Sequence, residues 1–243
     1  MKRTNTLLTA ALGVIMTAHA QLAAQAQTFQ INTLPYTITV PGVYTLERNF
    51  TSAAPVLITI TSPDVTLDLG SHILSSTNPS AIACINVYVK GGVNGSGNIT
   101  IRNGTIRNLA TSITVSNNFP NDGIGILIGT GGLLENLSIY SDRSSPIAGS
   151  VVGIIRDCIV RCGPSNQPAI FLRGAGGDII THNIIYPGFT NIAVMAQHSV
   201  HATEAIFGNV IFLTTFSQPG FNPVNDNGTL IPNTLDTVFR NPG

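Results

Sequence analysis

A short pattern that keeps returning constrains this chain more than anything in its composition. Ile99-Thr100-Ile101-Arg102-Asn103-Gly104-Thr105-Ile106-Arg107 sets it: an apolar residue, any residue, Asn or Asp, two residues, then another apolar one. It returns as Leu134-Glu135-Asn136-Leu137-Ser138-Ile139-Tyr140 and as Ile155-Arg156-Asp157-Cys158-Ile159-Val160-Arg161. Later copies are Ile180-Thr181-His182-Asn183-Ile184-Ile185-Tyr186 and Ile206-Phe207-Gly208-Asn209-Val210-Ile211-Phe212; Val65 to Leu74 holds an earlier one, longer by two residues. From Ile101 onward the copies are 33, 21, 25 and 26 residues apart.

That period is too short for a propeller blade, and nothing in it has helical periodicity. A coil of short strands fits. The Ile101 and Ile106 columns then point inward and stack like on like at the ~4.8 Å spacing of paired strands. Between them runs the column Asn103, Asn136, Asp157, His182, Gly208. Those residue types tolerate the left-handed backbone that a sharp corner between two strands needs. Segments rich in Gly, Pro, Asn and Ser separate the copies and read as turns, Asp142–Gly149 and Gly163–Pro168 among them.

Three stretches carry a family resemblance. They are Tyr36 to Leu46, Asp64-Val65-Thr66-Leu67-Asp68-Leu69-Gly70-Ser71-His72, and Asn98 to Ile106. In them the chain resembles bacterial right-handed β-helix repeat proteins of the pectin-lyase-like superfamily. The expected fold is therefore an all-β, single-stranded right-handed parallel β-helix. The resemblance covers most of the chain beyond residue 26 and is specific for fold. That fold carries polysaccharide lyases, hydrolases, epimerases and adhesins, so function has to come from a site.

The expected organisation is a signal peptide at 1–26, an N-terminal cap at 27–50, the β-helix at 51–213 and a C-terminal cap or tail at 214–243. Lys2 and Arg3 precede an apolar stretch, Leu7 to Ala18, that is too short to span a bilayer. Small-residue cleavage sites end at Ala20 and Ala26, and secretion to the periplasm, cell surface or exterior follows from either. No later apolar run has the length of a transmembrane helix. Lys+Arg and Asp+Glu are balanced at 11 each, and loss of Lys2 and Arg3 leaves a net charge of about −2. Nucleic acid and anionic membranes, which demand a basic face, are excluded as partners. Cys84, Cys158 and Cys162 cannot all pair; Cys158 and Cys162 could bridge locally, but all three read as buried small hydrophobes.

The search for chemistry yields one candidate catalytic group and one candidate binding column. Asn121-Asp122-Gly123 is similar to the first acidic motif of polygalacturonases, but Gly125 stands where a second acid is wanted, and the later Gly-His-Gly and Arg-x-Lys motifs are missing. Glycoside hydrolysis needs two carboxylates facing one bond. A lyase is therefore favoured over a hydrolase, if the protein is an enzyme at all. Lyase-type elimination needs a strong base beside carboxylates that can hold Ca²⁺. Asp178 and Glu204, in the same register one coil apart, with Arg173 and His182 nearby, are the candidate catalytic residues, and His198 and His201 lie on the same coils. No cofactor other than Ca²⁺ is implied.

Outside each Ile106-type position the column reads Arg107, Tyr140, Arg161, Tyr186, Phe212. Alternating guanidinium and aromatic groups can stack on one another, and the same platform can stack sugar rings while Arg reaches their carboxylates. Arg107, Tyr140, Arg161 and Tyr186 are the candidate substrate-binding residues, with an acidic polysaccharide as the partner. The column Arg102, Glu135, Arg156 reads as a surface salt-bridge ladder. Ile159, Ile184 and Val210 face outward beside the aromatic column, so the C-terminal tail or a second copy is expected to cover them. A non-catalytic structural or adhesion module is the competing reading.

Overall fold

The structure, a computed structural model, describes residues 27–78, 80–87, 98–109, 124–128, 132–142, 144–149, 153–164, 167–174, 178–188, 193–198, 205–212, 224–226 and 238–240. Every strand pairing in it is parallel, and the strands stack into three ladders. The first contains β1 (Thr28–Ile31), β3 (Gly42–Leu46), β6 (Val65–Asp68), the first halves of β9 (Ile99–Asn108) and β11 (Gly132–Ser141), β13 (Gly153–Arg156), β16 (Ile179–Thr181) and β19 (Ala205–Phe207). The second contains β4 (Phe50–Ser52), β7 (Ile73–Ser76), the second halves of β9 and β11, β14 (Ile159–Cys162), β17 (Ile184–Tyr186), β20 (Val210–Phe212) and β22 (Val238–Arg240). The third is β2 (Tyr36–Ile38), β5 (Val56–Ile60), β8 (Ala83–Val87), β10 (Ile124–Ile128), β12 (Ile147–Gly149), β15 (Ile170–Gly174), β18 (Val194–His198) and β21 (Val224–Asp226).

The chain is thus an all-β parallel solenoid. The first two ladders merge into one sheet at the continuous strands β9 and β11, and the third forms a sheet of its own. Parallel neighbours cannot be joined by a hairpin, so each coil visits all three ladders before returning one strand spacing along. Among the described residues no helix is long and apolar enough to cross a membrane.

The core lies where the repeat places it. Ile101, Leu134, Ile155, Ile180 and Ile206 stack as one buried column, and Ile106, Ile139, Val160, Ile185 and Ile211 as another. Burying such side chains contributes roughly 1.5–3 kcal/mol each before entropy is counted. The corner column also behaves as its residue types demand. Asn103, Asn136, Asp157, His182 and Gly208 have φ of 59°, 51°, 54°, 54° and 65°, all left-handed. Gly153, at φ 92°, sits against Gly132, and a Cβ there would run into the Gly132 carbonyl.

Some features extend or revise the repeat. Strands begin at Thr28, so residues 27–50 already form ladder rungs, and β21 and β22 continue the third and second ladders within 214–243. The stretch expected as a turn at Asp142–Gly149 contains β12, because a third strand is needed to close each coil. Cys84, Cys158 and Cys162 are all free and buried. Residues 1–26, expected as a signal peptide, and the Asn121-Asp122-Gly123 motif lie outside the described residues.

Candidate functional site

Alternation along the second ladder turns Ile106-type residues inward and their successors outward. The outward column has the expected register: Arg107 pairs with Tyr140, Tyr140 with Arg161, and Arg161 with Tyr186. By backbone register, Ser75 pairs with Arg107 ahead of the column and Arg240 pairs with Phe212 after it. The Arg161 guanidinium lies over the Tyr186 ring, 4.4 Å from its centroid. Tyr186 in turn stacks on Phe212 at 4.7 Å with 5° between the ring planes. Strand spacing sets this contact, since groups on adjacent rungs are held near ring-stacking distance.

Toward the start of the column a groove of about 320 Å³ opens on the surface, lined by Thr105, Arg107, Leu109, Tyr140, Ile159 and Arg161 together with Ser138. The Tyr140 hydroxyl donates to Asp142 Oδ1 at 3.0 Å. Burial, and then this bond to a carboxylate, push the Tyr140 hydroxyl above its ordinary pKa, so the phenol stays protonated at neutral pH. Among the described residues no carboxylate comes within 4.0 Å of the Arg107 or Arg161 guanidinium. The groove therefore offers two cations, one aromatic face, and an apolar floor from Leu109 and Ile159, which are 39% and 37% exposed. Ile184 and Val210, in line with Ile159, are half-buried.

The first ladder carries the second outward column, longer than the repeat alone showed. Asp68 joins it, giving Asp68–Arg102 at 2.9 Å, Arg102–Glu135 at 4.0 Å and Glu135–Arg156 at 2.6 Å. Each charge meets its opposite one rung away, so these guanidiniums are paired with carboxylates, whereas on the second ladder Arg161 meets the Tyr186 ring instead.

The candidate catalytic residues are spread over more than one ladder. Arg173 belongs by its backbone to β15 of the third ladder, opposite Gln197, and its side chain lies outside what the structure describes. Asp178 sits just before β16 and is 1% exposed, and its Oδ1 accepts the Gly153 N–H at 2.6 Å. His182 is at the far end of β16, exposed at the corner; its Nδ1 lies 2.7 Å from Thr181 Oγ1 and its ring meets Phe207 edge-on. Glu204 and His201 lie outside the described residues, as does the side chain of His198. Among the described residues there is no group of three His, Cys, Asp or Glu placed to hold a metal ion.

Two buried polar residues escaped the reading of the repeat. Asn183 and Asn209 each follow the corner residue and point inward, at 1% and 0% exposure. Asn183 Oδ1 accepts the Cys158 N–H at 2.9 Å, and Asn209 Nδ2 donates to the Ile180 and Phe207 carbonyls. Their recurrence at one-coil spacing was the available signal. Comparison of the chain with protein-family models, with curated proteins and with solved structures found no match.

Proposed function

We propose that the protein is a secreted right-handed parallel β-helix of the pectin-lyase-like kind that binds acidic polysaccharide along its Arg–aromatic column. One observation carries this reading. Arg107 and Arg161 stand at the surface of a groove without carboxylate partners among the described residues, flanking Tyr140 and leading onto the stacked Tyr186 and Phe212. Guanidinium groups suit carboxylates, and aromatic faces suit the C–H faces of sugar rings. Calorimetric titration with oligouronates tests it. Arg107→Ala and Arg161→Ala should each weaken binding about tenfold or more, as removal of a charge-assisted hydrogen bond does. Undiminished binding in the double variant would refute the reading.

Cleavage is the stronger version of the proposal. It calls for release of unsaturated, ultraviolet-absorbing products from a uronate polymer, tried with and without Ca²⁺, and for its loss in Arg173→Ala and Asp178→Ala. The competing reading, a non-catalytic structural or adhesion module, draws on the same contacts. Arg161 on Tyr186 and Tyr186 on Phe212 already satisfy one another. It predicts that the Arg161 and Tyr186 variants lose stability and no ligand.

A further inference from the structure

We infer that Asp142 makes the groove select glycans in which acidic and neutral sugars alternate, over polymers with an acid on every unit. This inference rests on the polysaccharide reading above and concerns which polysaccharide the groove accepts.

The charge pattern along the coil axis is the starting point. Arg107, Tyr140 and Arg161 occupy three successive rungs, so the two guanidinium-bearing positions are roughly 9.6 Å apart, twice the ~4.8 Å strand spacing. An extended pyranoside unit is about as long as one rung. A glycan laid along the column therefore puts one sugar on each of the three residues. The outer two sugars meet cations. The middle sugar meets the Tyr140 ring and, at its tip, the Asp142 carboxylate that holds the hydroxyl proton at 3.0 Å.

The backbone fixes Asp142 at that place. The Asp142 N–H donates to the Asn108 carbonyl at 3.0 Å, which sets Asp142 in the rung after Leu109, a residue that lines the groove. On the following rung stands Gly163, packed directly on the Asp142 backbone, where a Cβ would strike the Asp142 carbonyl. Because the Tyr140 hydroxyl donates its hydrogen bond to Asp142, the phenol oxygen faces a ligand as an acceptor, and the remaining carboxylate oxygen is an acceptor too. The middle subsite thus wants hydroxyl or amide N–H donors. A carboxylate there would meet a like charge, while the guanidiniums of Arg107 and Arg161 one rung away on either side are taken up by the carboxylates of the outer sugars, and such juxtaposition is disfavoured.

The test uses the full chain and three oligosaccharides of equal length: alternating glucuronate and N-acetylglucosamine, oligogalacturonate, and neutral cello-oligosaccharide. The wild type should prefer the alternating ligand over oligogalacturonate by at least about tenfold. Asp142→Asn keeps an acceptor for the tyrosine hydroxyl but removes the charge, and should raise oligogalacturonate affinity until the preference is gone. Tyr140→Phe should blunt the preference while leaving the dependence on Arg161 intact, which covers the case in which the Asp142 variant does not fold. No preference in the wild type, or a preference unchanged in both variants, overturns the inference while leaving the polysaccharide reading standing. Binding that ignores Arg107 and Arg161, or no binding to any acidic ligand, overturns that reading and the inference with it.

Discussion

The side-chain oxygen of Asn209 accepts two hydrogen bonds from Asn183 one coil away, from the backbone N–H at 2.9 Å and from the side-chain amide at 3.0 Å. The relationship is buried, so neither residue has water as a substitute partner. Asn209→Ala strands the Asn183 backbone N–H, leaves the Asn183 amide with the Ile155 carbonyl alone, and removes the side-chain donor from the Ile180 and Phe207 carbonyls, the latter keeping the His182 N–H. With ~1–3 kcal/mol for each buried group left unsatisfied, and some relaxation, the expected cost is about 2–4 kcal/mol. Urea denaturation should show a lower midpoint with the slope unchanged. A midpoint within error of the wild type would mean that the pair adds nothing to stability.

The corner residues make a cleaner case, because Asp157 is exposed and its φ of 54° is held by the fold. Glycine adopts this conformation freely, whereas a β-branched residue resists it. Asp157→Gly should therefore stay within about 1 kcal/mol of the wild type, and Asp157→Val should lose roughly 1–2 kcal/mol relative to the glycine variant. Thermal melts of the two proteins side by side decide it; equal melting temperatures would remove backbone strain as the reason for Asn, Asp, His and Gly at this column.

Those two cases mark what the sequence could and could not reveal. The Asn103-to-Gly208 column and the Ile columns flanking it were legible because a parallel stack repeats its geometry at every rung, which forces the same residue types to recur. The Arg–aromatic register followed from the same counting. Asp142 was not legible as part of a site. Its role depends on the Tyr140 hydroxyl reaching it across the groove wall, and nothing in the repeat marks that contact. Asp178 illustrates the opposite limit. Its register beside β16 could be counted, but whether its carboxylate turns outward or in toward the Gly153 N–H is decided by local packing.

Cysteine chemistry gives a simple check on the core. Burial pushes the Cys84 and Cys158 thiols up to about 12, and each sulfur lies against a backbone carbonyl, of Arg107 and of Arg156. The thiolate is the reactive form, so neither should react with a disulfide reagent at pH 8 until the protein unfolds. Cys162, 9% exposed, is also free. Native protein should show essentially no labelling and denatured protein three thiols without prior reduction. Only one thiol after denaturation would reveal a disulfide between two of the three cysteines.

Asp68 links the charge column to pH. Burial works against its ionised form, yet the Gly70 N–H, the Asn103 amide and the Arg102 guanidinium together hold its carboxyl below the usual aspartate range. A depressed folded-state pKa stabilises the fold above the unfolded value of about 3.9, and that contribution disappears as pH falls through the folded value. Asp68→Asn removes the charge that Arg102 and Asn103 meet, and so should destabilise the protein near pH 7. The gap between variant and wild type should narrow steadily below about pH 4. Urea midpoints of both proteins across this range measure it. A gap that stays constant down to pH 2 would show that the amide fails for reasons of shape, and that the Asp68–Arg102 pair stabilises the fold as little as isolated surface ion pairs usually do.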